Sequence, residues 1–185
     1  MVQNWMVFLR AVNVGGRNLV PMARLRQVLE EEGFTKVITY LQSGNIVLCS
    51  EKLNQSEIEK RIGDLIVQTF SVSVDVFARS GESVKQWLEE NPFQNPEQFP
   101  GDKVGIALLS QVPDNEKVVI LSSQNISPDE FIIKGSVLYL YCPEGFGKTR
   151  FTSAMIESKL KVRTTVRNRK TIEAMSKIVS EIPYN

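Results

Sequence analysis

The order β-α-β-β-α-β can be read twice along this 185-residue chain, each time with a hairpin at its centre, and a Pro- and Asn-rich stretch separates the readings. These observations predict an α+β protein of two ferredoxin-like (α-β plait) halves, near 1–80 and 103–185, joined by a helix and linker over 81–102. A chain of this length holds one sizeable core or two small ones, which suits two plaits.

Trp5 to Val12 alternates and is apolar enough for a first strand, and Asn13-Val14-Gly15-Gly16-Arg17-Asn18 then makes a turn-rich loop. Pro21 suits the first turn of a helix, where its missing N–H is harmless; Leu25, Val28 and Leu29 give the apolar stripe and Gly33 the stop. Lys36–Leu41 and Ile46–Cys49 read as a hairpin about Ser43-Gly44-Asn45. Asn54 or Ser56 caps a second helix striped by Ile58, Ile62, Leu65, Ile66 and Phe70, and Val72–Ala78 alternates as the fourth strand. Ser83–Glu90 is a connecting helix and Asn91–Asp102 the natural linker. Downstream the pattern repeats: strand Val104–Ser110, helix Asp114–Ser123, a hairpin of Glu130–Lys134 and Val137–Tyr141 about Gly135, helix Thr149–Leu160, a short strand Val162–Val166, and a closing helix Arg169–Ile182.

Composition narrows the chemistry. Apolar runs such as Val104–Leu109 fall far short of the roughly 20 residues a membrane span needs. The start has no basic n-region and Arg10 interrupts its apolar stretch, so no signal peptide is read. Cys49 and Cys142 lie far apart in strand-like runs and read as buried thiols of a reducing compartment, which makes the cytoplasm the expected location. The chain has no histidine, which excludes Ser-His-Asp triads, Cys-His dyads and the common zinc sets. Acid–base work would fall to carboxylates, Lys, Tyr or a bound substrate.

The net charge of +1 conceals segregation. Residues 1–29 carry four arginines and no acid, residues 148–170 carry eight bases against Glu157, and residues 30–147 hold 9 bases and 18 acids. Separation of this kind suggests an anionic partner, a phosphate, nucleotide or nucleic acid; a solvated helix face is the plainer account.

Polar loops supply the candidate residues. Arg10–Asn18 runs from a strand toward a helix, and amides at such a helix start beside Arg10 and Arg17 suit an anion, although a glycine turn with solvated arginines has the same composition. It is not G-x-G-x-x-G. Gln42-Ser43-Gly44-Asn45 is explained by a hairpin turn alone. Cys142-Pro143-Glu144-Gly145-Phe146-Gly147-Lys148-Thr149-Arg150 ends like a P-loop, but cysteine occupies the place of the first glycine. Lys148 and Arg150 at a helix N-terminus would oppose the macrodipole by about 0.3–1 kcal/mol each, an arrangement that a bound anion would relieve. Thr164-Thr165-Val166-Arg167-Asn168-Arg169-Lys170 offers hydroxyls and bases for phosphate oxygens, or a strand end with an N-cap at Asn168. Tyr139 and Tyr141 share a strand face, as base-stacking aromatics do and as half-buried tyrosines also do.

Taken together these loops resemble the domain of unknown function 1697 family. Leu9–Gly16 through Val20–Arg26 looks like its opening signature, Tyr40–Val47 its second motif, Pro143–Arg150 its third and Thr165–Asn168 its fourth, in order from first strand to last helix. The resemblance implies two α-β plait halves and points to Arg10, Asn13, Gly15, Gly16, Asn18, Ser43, Asn45, Gly145, Gly147, Lys148, Arg167 and Asn168, with Arg150 added on charge. It implies no activity and no cofactor. The family's tryptophan after the Arg-Asn pair is replaced here by Arg169.

The expectation is a binding protein that holds a phosphate-bearing small ligand or nucleotide on a basic surface between the halves. Nucleic-acid binding through 148–170 and Tyr139/Tyr141 is a second expectation. A phosphoryl- or nucleotidyl-transfer enzyme is a third, with Asp102, Asp114 and Asp129 as unassigned carboxylates.

Overall fold

The computed structural model describes residues 2–51 and 53–182, and contacts divide the chain into two units: residues through Gln86 with those from Ala174 onward, and Trp87–Glu173. Among the described residues there are eight strands and six helices, and the strands form two four-stranded antiparallel sheets.

The first unit runs β1 (Val2–Leu9), α1 (Met22–Glu31), β2 (Thr35–Tyr40), β3 (Asn45–Glu51), α2 (Gln55–Phe70) and β4 (Val76–Ser80), with spatial order β2-β3-β1-β4. Alternation along β1 directs Trp5, Val7 and Leu9 onto the helices, where they meet Leu25 and Leu29 of α1 and Ile58, Ile62 and Ile66 of α2. Asn54 is the cap of α2: its side chain accepts from Glu57 N at 3.1 Å while the Glu57 carboxylate accepts from Asn54 N at 2.7 Å. β1 stops at Leu9, three residues before the expected Val12. Leu9 and Arg10 donate their amides to Gly44 and Asp75, and Ala11 turns to φ 52°, which ends the extended run. Because Leu9 pairs with Val76, the chain over 72–75 has no β1 residue opposite it, and β4 starts four residues later than the alternation suggests.

The second unit runs from within α3 (Gly81–Glu90) through β5 (Val104–Leu109), α4 (Asn115–Ser122), β6 (Glu130–Lys134), β7 (Val137–Tyr141), α5 (Ser153–Leu160) and β8 (Thr164–Asn168) into α6 (Arg169–Glu181), with spatial order β6-β7-β5-β8. Ala107, Leu109, Leu138 and Leu140 pack with Leu121, Ile156 and Leu160 on the helical side of this sheet. The expected helix from Thr149 begins only at Ser153, because Thr152 takes the N-cap, accepting from Met155 N at 3.2 Å, while Thr149 Oγ1 accepts from Phe151 N in the preceding turn. β8 is shifted two residues along from the expected Val162–Val166, since Lys161 closes α5 in the left-handed region at φ 58°.

The contact boundaries differ from the 1–80, 81–102 and 103–185 division that the sequence suggests. The Pro- and Asn-rich stretch packs on the second unit. Tyr139 Oη donates to Trp87 O at 3.0 Å, Lys134 Nζ to Glu90 O at 2.6 Å, and Phe93, Phe99 and Tyr141 form an aromatic cluster with ring centroids 4.9–5.9 Å apart. Arg169, which stands where the family's tryptophan is expected, donates to Phe93 O at 2.6 Å and Gln94 O at 3.1 Å and so clamps that stretch to the start of α6.

Candidate functional site

In the first unit the 10–20 loop and the 42–45 turn are knit together. Ala11, Asn13, Gly15, Gly16 and Asn18 all adopt positive φ, a path that Gly and Asn tolerate best. The Asn13 carboxamide donates to Val20 O and Gln42 O and accepts from Val20 N, and Asn18 Nδ2 donates to Ala11 O. Asn45, fully buried, donates to Tyr40 O at 3.0 Å and Ser43 Oγ at 2.9 Å. Arg10 is paired with Asp75 at 3.2 Å. The named side chains of this loop therefore hold its main chain in place. Gly15 and Gly16 are exposed, with open space around them.

The second unit contains a pocket of about 370 Å³ lined by the apolar Leu140, Phe146, Phe151 and Val166 and by the polar Thr149, Thr152, Ser153 and Asn168. That volume lies at the small end of the roughly 300–1,000 Å³ typical of small-molecule sites. The strand register explains how two distant motifs meet there. Val166 and Asn168 point to the helical side of β8, Gly105 lies opposite Asn168 on β5, and the 143–152 loop returns over the same side before entering α5.

Each polar wall has a defined state. Thr149 donates to the buried Asp129 carboxylate. Thr152 caps α5, which leaves the amides of Ser153 and Ala154 as the orphan donors of its first turn. Asn168 accepts from Thr171 N at 2.8 Å, so its oxygen caps α6 as the sequence suggests, while its NH₂ and the Ser153 hydroxyl have no protein partner among the described residues. Lys148 and Arg150, exposed on either side of Thr149, likewise have no side-chain partner among the described residues. With α5 starting at Ser153, these two bases belong to the loop and not to a first helical turn, and the macrodipole argument for them lapses.

Phe151 is buried and stacks on Phe131 at 5.0 Å. Phe146 is half-buried between Gly145 and Gly147, and a Cβ built on Gly105 would come within 3.0 Å of its Cε1 and Cζ. In the sequence Phe146 and Thr149 stand out only as part of a motif, and nothing marks Phe151, Thr152 or Ser153. The available signal was Gly105, an isolated glycine in an apolar strand, which marks a close approach.

Several expected residues lie elsewhere. Arg167 points to the opposite sheet face from Asn168, bonding Thr165 Oγ1 and Val166 O at 2.9 Å; burial pushes its guanidinium down to about 10. Tyr139 is fully buried, its hydroxyl pushed up to about 12 by burial with a smaller push from Glu90, and Tyr141 lies in the aromatic cluster. Tyr139 offers no stacking platform, and the half-buried Tyr141 packs edge-on against Phe99. Asp102 pairs with Lys170 at 3.1 Å and its carboxyl is held below the usual range by that contact. Among the described residues no cluster of three or more Cys, Asp or Glu comes together. A groove of about 340 Å³ along α2 is lined mainly by charged and polar residues, among which Lys60–Asp64 and Arg61–Glu32 are already paired, and it reads as a solvated helix face.

The family model described as "Protein of unknown function (DUF1697)" matches residues 2–139, and the chain belongs to that family. The conserved bacterial protein SP0830 from Streptococcus pneumoniae has a similar solved structure, with a TM-score of 0.76 and 21% identity over 97% of this chain and 99% of that one, a likeness of fold. Among curated proteins none matches. No helix among the described residues is long and apolar enough to cross a membrane.

Proposed function

We propose that the protein binds a phosphate-bearing small ligand in the pocket of the Trp87–Glu173 unit, on a ferredoxin-like plait. The carrying observation is the composition of that pocket: apolar side chains beside donors from Ser153, Asn168 and the first amides of α5 that have no protein partner among the described residues. Free N–H groups at a helix start favour an anion, and Lys148 and Arg150, whose side chains have no partner among the described residues, supply positive charge in the loop before it. The strand orders β2-β3-β1-β4 and β6-β7-β5-β8, fully antiparallel with two helical crossovers each, support the plait reading of both units. The free thiols of Cys49 and Cys142 suit a reducing compartment such as the cytoplasm. The nucleic-acid reading keeps the basic 148–170 stretch but not Tyr139, which is fully buried.

The test is a thermal-shift screen of the whole chain against inorganic phosphate, sugar phosphates, nucleotides and short oligonucleotides. A ligand at 100 times its Kd adds about 2.7 kcal/mol, several degrees in Tm. The reading predicts a hit that weakens about tenfold or more in Lys148→Ala with Arg150→Ala. Absence of any shift with phosphorylated compounds contradicts it.

A further inference from the structure

The apolar wall of the same pocket specifies more than a phosphate. Phe146 is the only half-exposed aromatic ring of the 143–152 loop, and the protein makes room for it by leaving Gly105, in the middle of β5, without a side chain. A Cβ there would meet Phe146 at 3.0 Å and Val166 Cγ1 at 3.3 Å, so the glycine sets how deep the ring can sit. Gly145, at φ 89°, and Gly147 flank the ring, and a Cβ at either would stand in open space. The second aromatic, Phe151, is buried and stacks on Phe131. Both rings line a cavity that hydroxyl and carboxamide groups also line, and Phe146 is the half-exposed one of the two.

A sugar phosphate sets only a small C–H face against Phe146, and hydroxyls turned toward Leu140 and Val166 would be left unpaired. A flat aromatic ring joined to a phosphate through a short polar spacer suits both the apolar and the polar lining groups. We infer that the ligand is a nucleoside 5′-phosphate, with the base against the half-exposed Phe146, and the phosphate at Ser153, Asn168 and the start of α5. This inference rests on the phosphate reading above and adds the base.

Calorimetric titration of the full chain with adenosine 5′-monophosphate, ribose 5-phosphate, adenosine and inorganic phosphate separates the two. The expected result is adenosine 5′-monophosphate binding about tenfold or more tighter than ribose 5-phosphate, the order that one base–aromatic stack contributes. In Phe146→Ala the two affinities should converge, while ribose 5-phosphate is unaffected. Gly105→Ala should act in the same direction by displacing the ring; if it fails to fold, Phe146→Ala carries the test alone. Equal affinities of the two phosphates in the wild type would overturn the base slot and leave the phosphate reading standing. Adenosine binding as tightly as its monophosphate would overturn the phosphate reading and with it the nucleoside 5′-phosphate assignment. Failure of all four compounds to bind would overturn both.

Discussion

The Asn13 carboxamide donates to the carbonyl of Gln42 at 2.7 Å and to that of Val20 at 3.0 Å, so one side chain ties the loop after β1 to both the hairpin turn and the entrance of α1. Removing it strands two carbonyls and the Val20 amide. Asn13→Ala should lower stability by about 1–3 kcal/mol, read as a shift of the urea midpoint. Unchanged stability would mean that water replaces these bonds at no cost.

The glycines of the two first-unit motifs differ in what surrounds them. At Gly44, φ 75°, an added Cβ would lie 2.6 Å from Leu9 Cβ and Val12 Cγ2, whereas Gly15 and Gly16 have open space. Gly15→Ala and Gly16→Ala should cost about 1–2 kcal/mol from the left-handed backbone alone. Gly44→Ala should cost clearly more, enough to reduce soluble expression, and equal midpoints for the three variants would contradict the packing described.

Burial raises the Tyr139 hydroxyl to about 12 from 10.0 and the Cys142 thiol to about 11 from 9.0. Groups that hold protons more tightly when folded contribute stability that is complete below the ordinary value and lost as pH rises through the folded one. The Arg167 guanidinium, lowered to about 10, acts in the opposite sense over part of this range, so the comparison between proteins is the readout. Wild type should lose stability relative to Tyr139→Phe between pH 10 and 12. At neutral pH Tyr139→Phe should cost about 0.5–1.5 kcal/mol for the bond to Trp87 O. A constant Tm difference across that window would show that the hydroxyl titrates normally.

Lys148 and Arg150 are exposed and make no side-chain bonds among the described residues. Replacing both by alanine should leave stability within about 0.5 kcal/mol while weakening phosphate-ligand binding. Thr152→Ala, which removes the cap of α5, should instead cost about 1 kcal/mol. If the double variant unfolds as easily as Thr152→Ala, the two bases are structural.

Element types were legible because the apolar periods are strong. The stripe Ile58, Ile62, Ile66 and the alternation through Glu130–Lys134 and Val137–Tyr141 lead directly to α2 and to the β6–β7 hairpin. Boundaries failed where side chains compete with the backbone. Thr149 and Thr152 delay α5 by bonding nearby amides, and positive φ at Ala11 ends β1 in an apolar run that gives no warning.

The site was legible as loops and not as roles. Asn13, Asn18 and Asn45 stand out in sequence because their side chains build turns, the same property that marks binding loops. Alternation alone could separate Arg167 from Asn168 once the strand register was known, but the expected strand ended at Val166, before either residue. The apolar half of the pocket, Phe146 over Gly105, is a long-range contact that no local pattern encodes.

The most direct test is an amide-resolved NMR titration of the whole chain with adenosine 5′-monophosphate. The account predicts saturable shifts at the amides of Ser153 and Ala154, at the side-chain NH₂ of Asn168 and around Phe146. Shifts confined to residues 10–18, or none at saturating nucleotide, would contradict it.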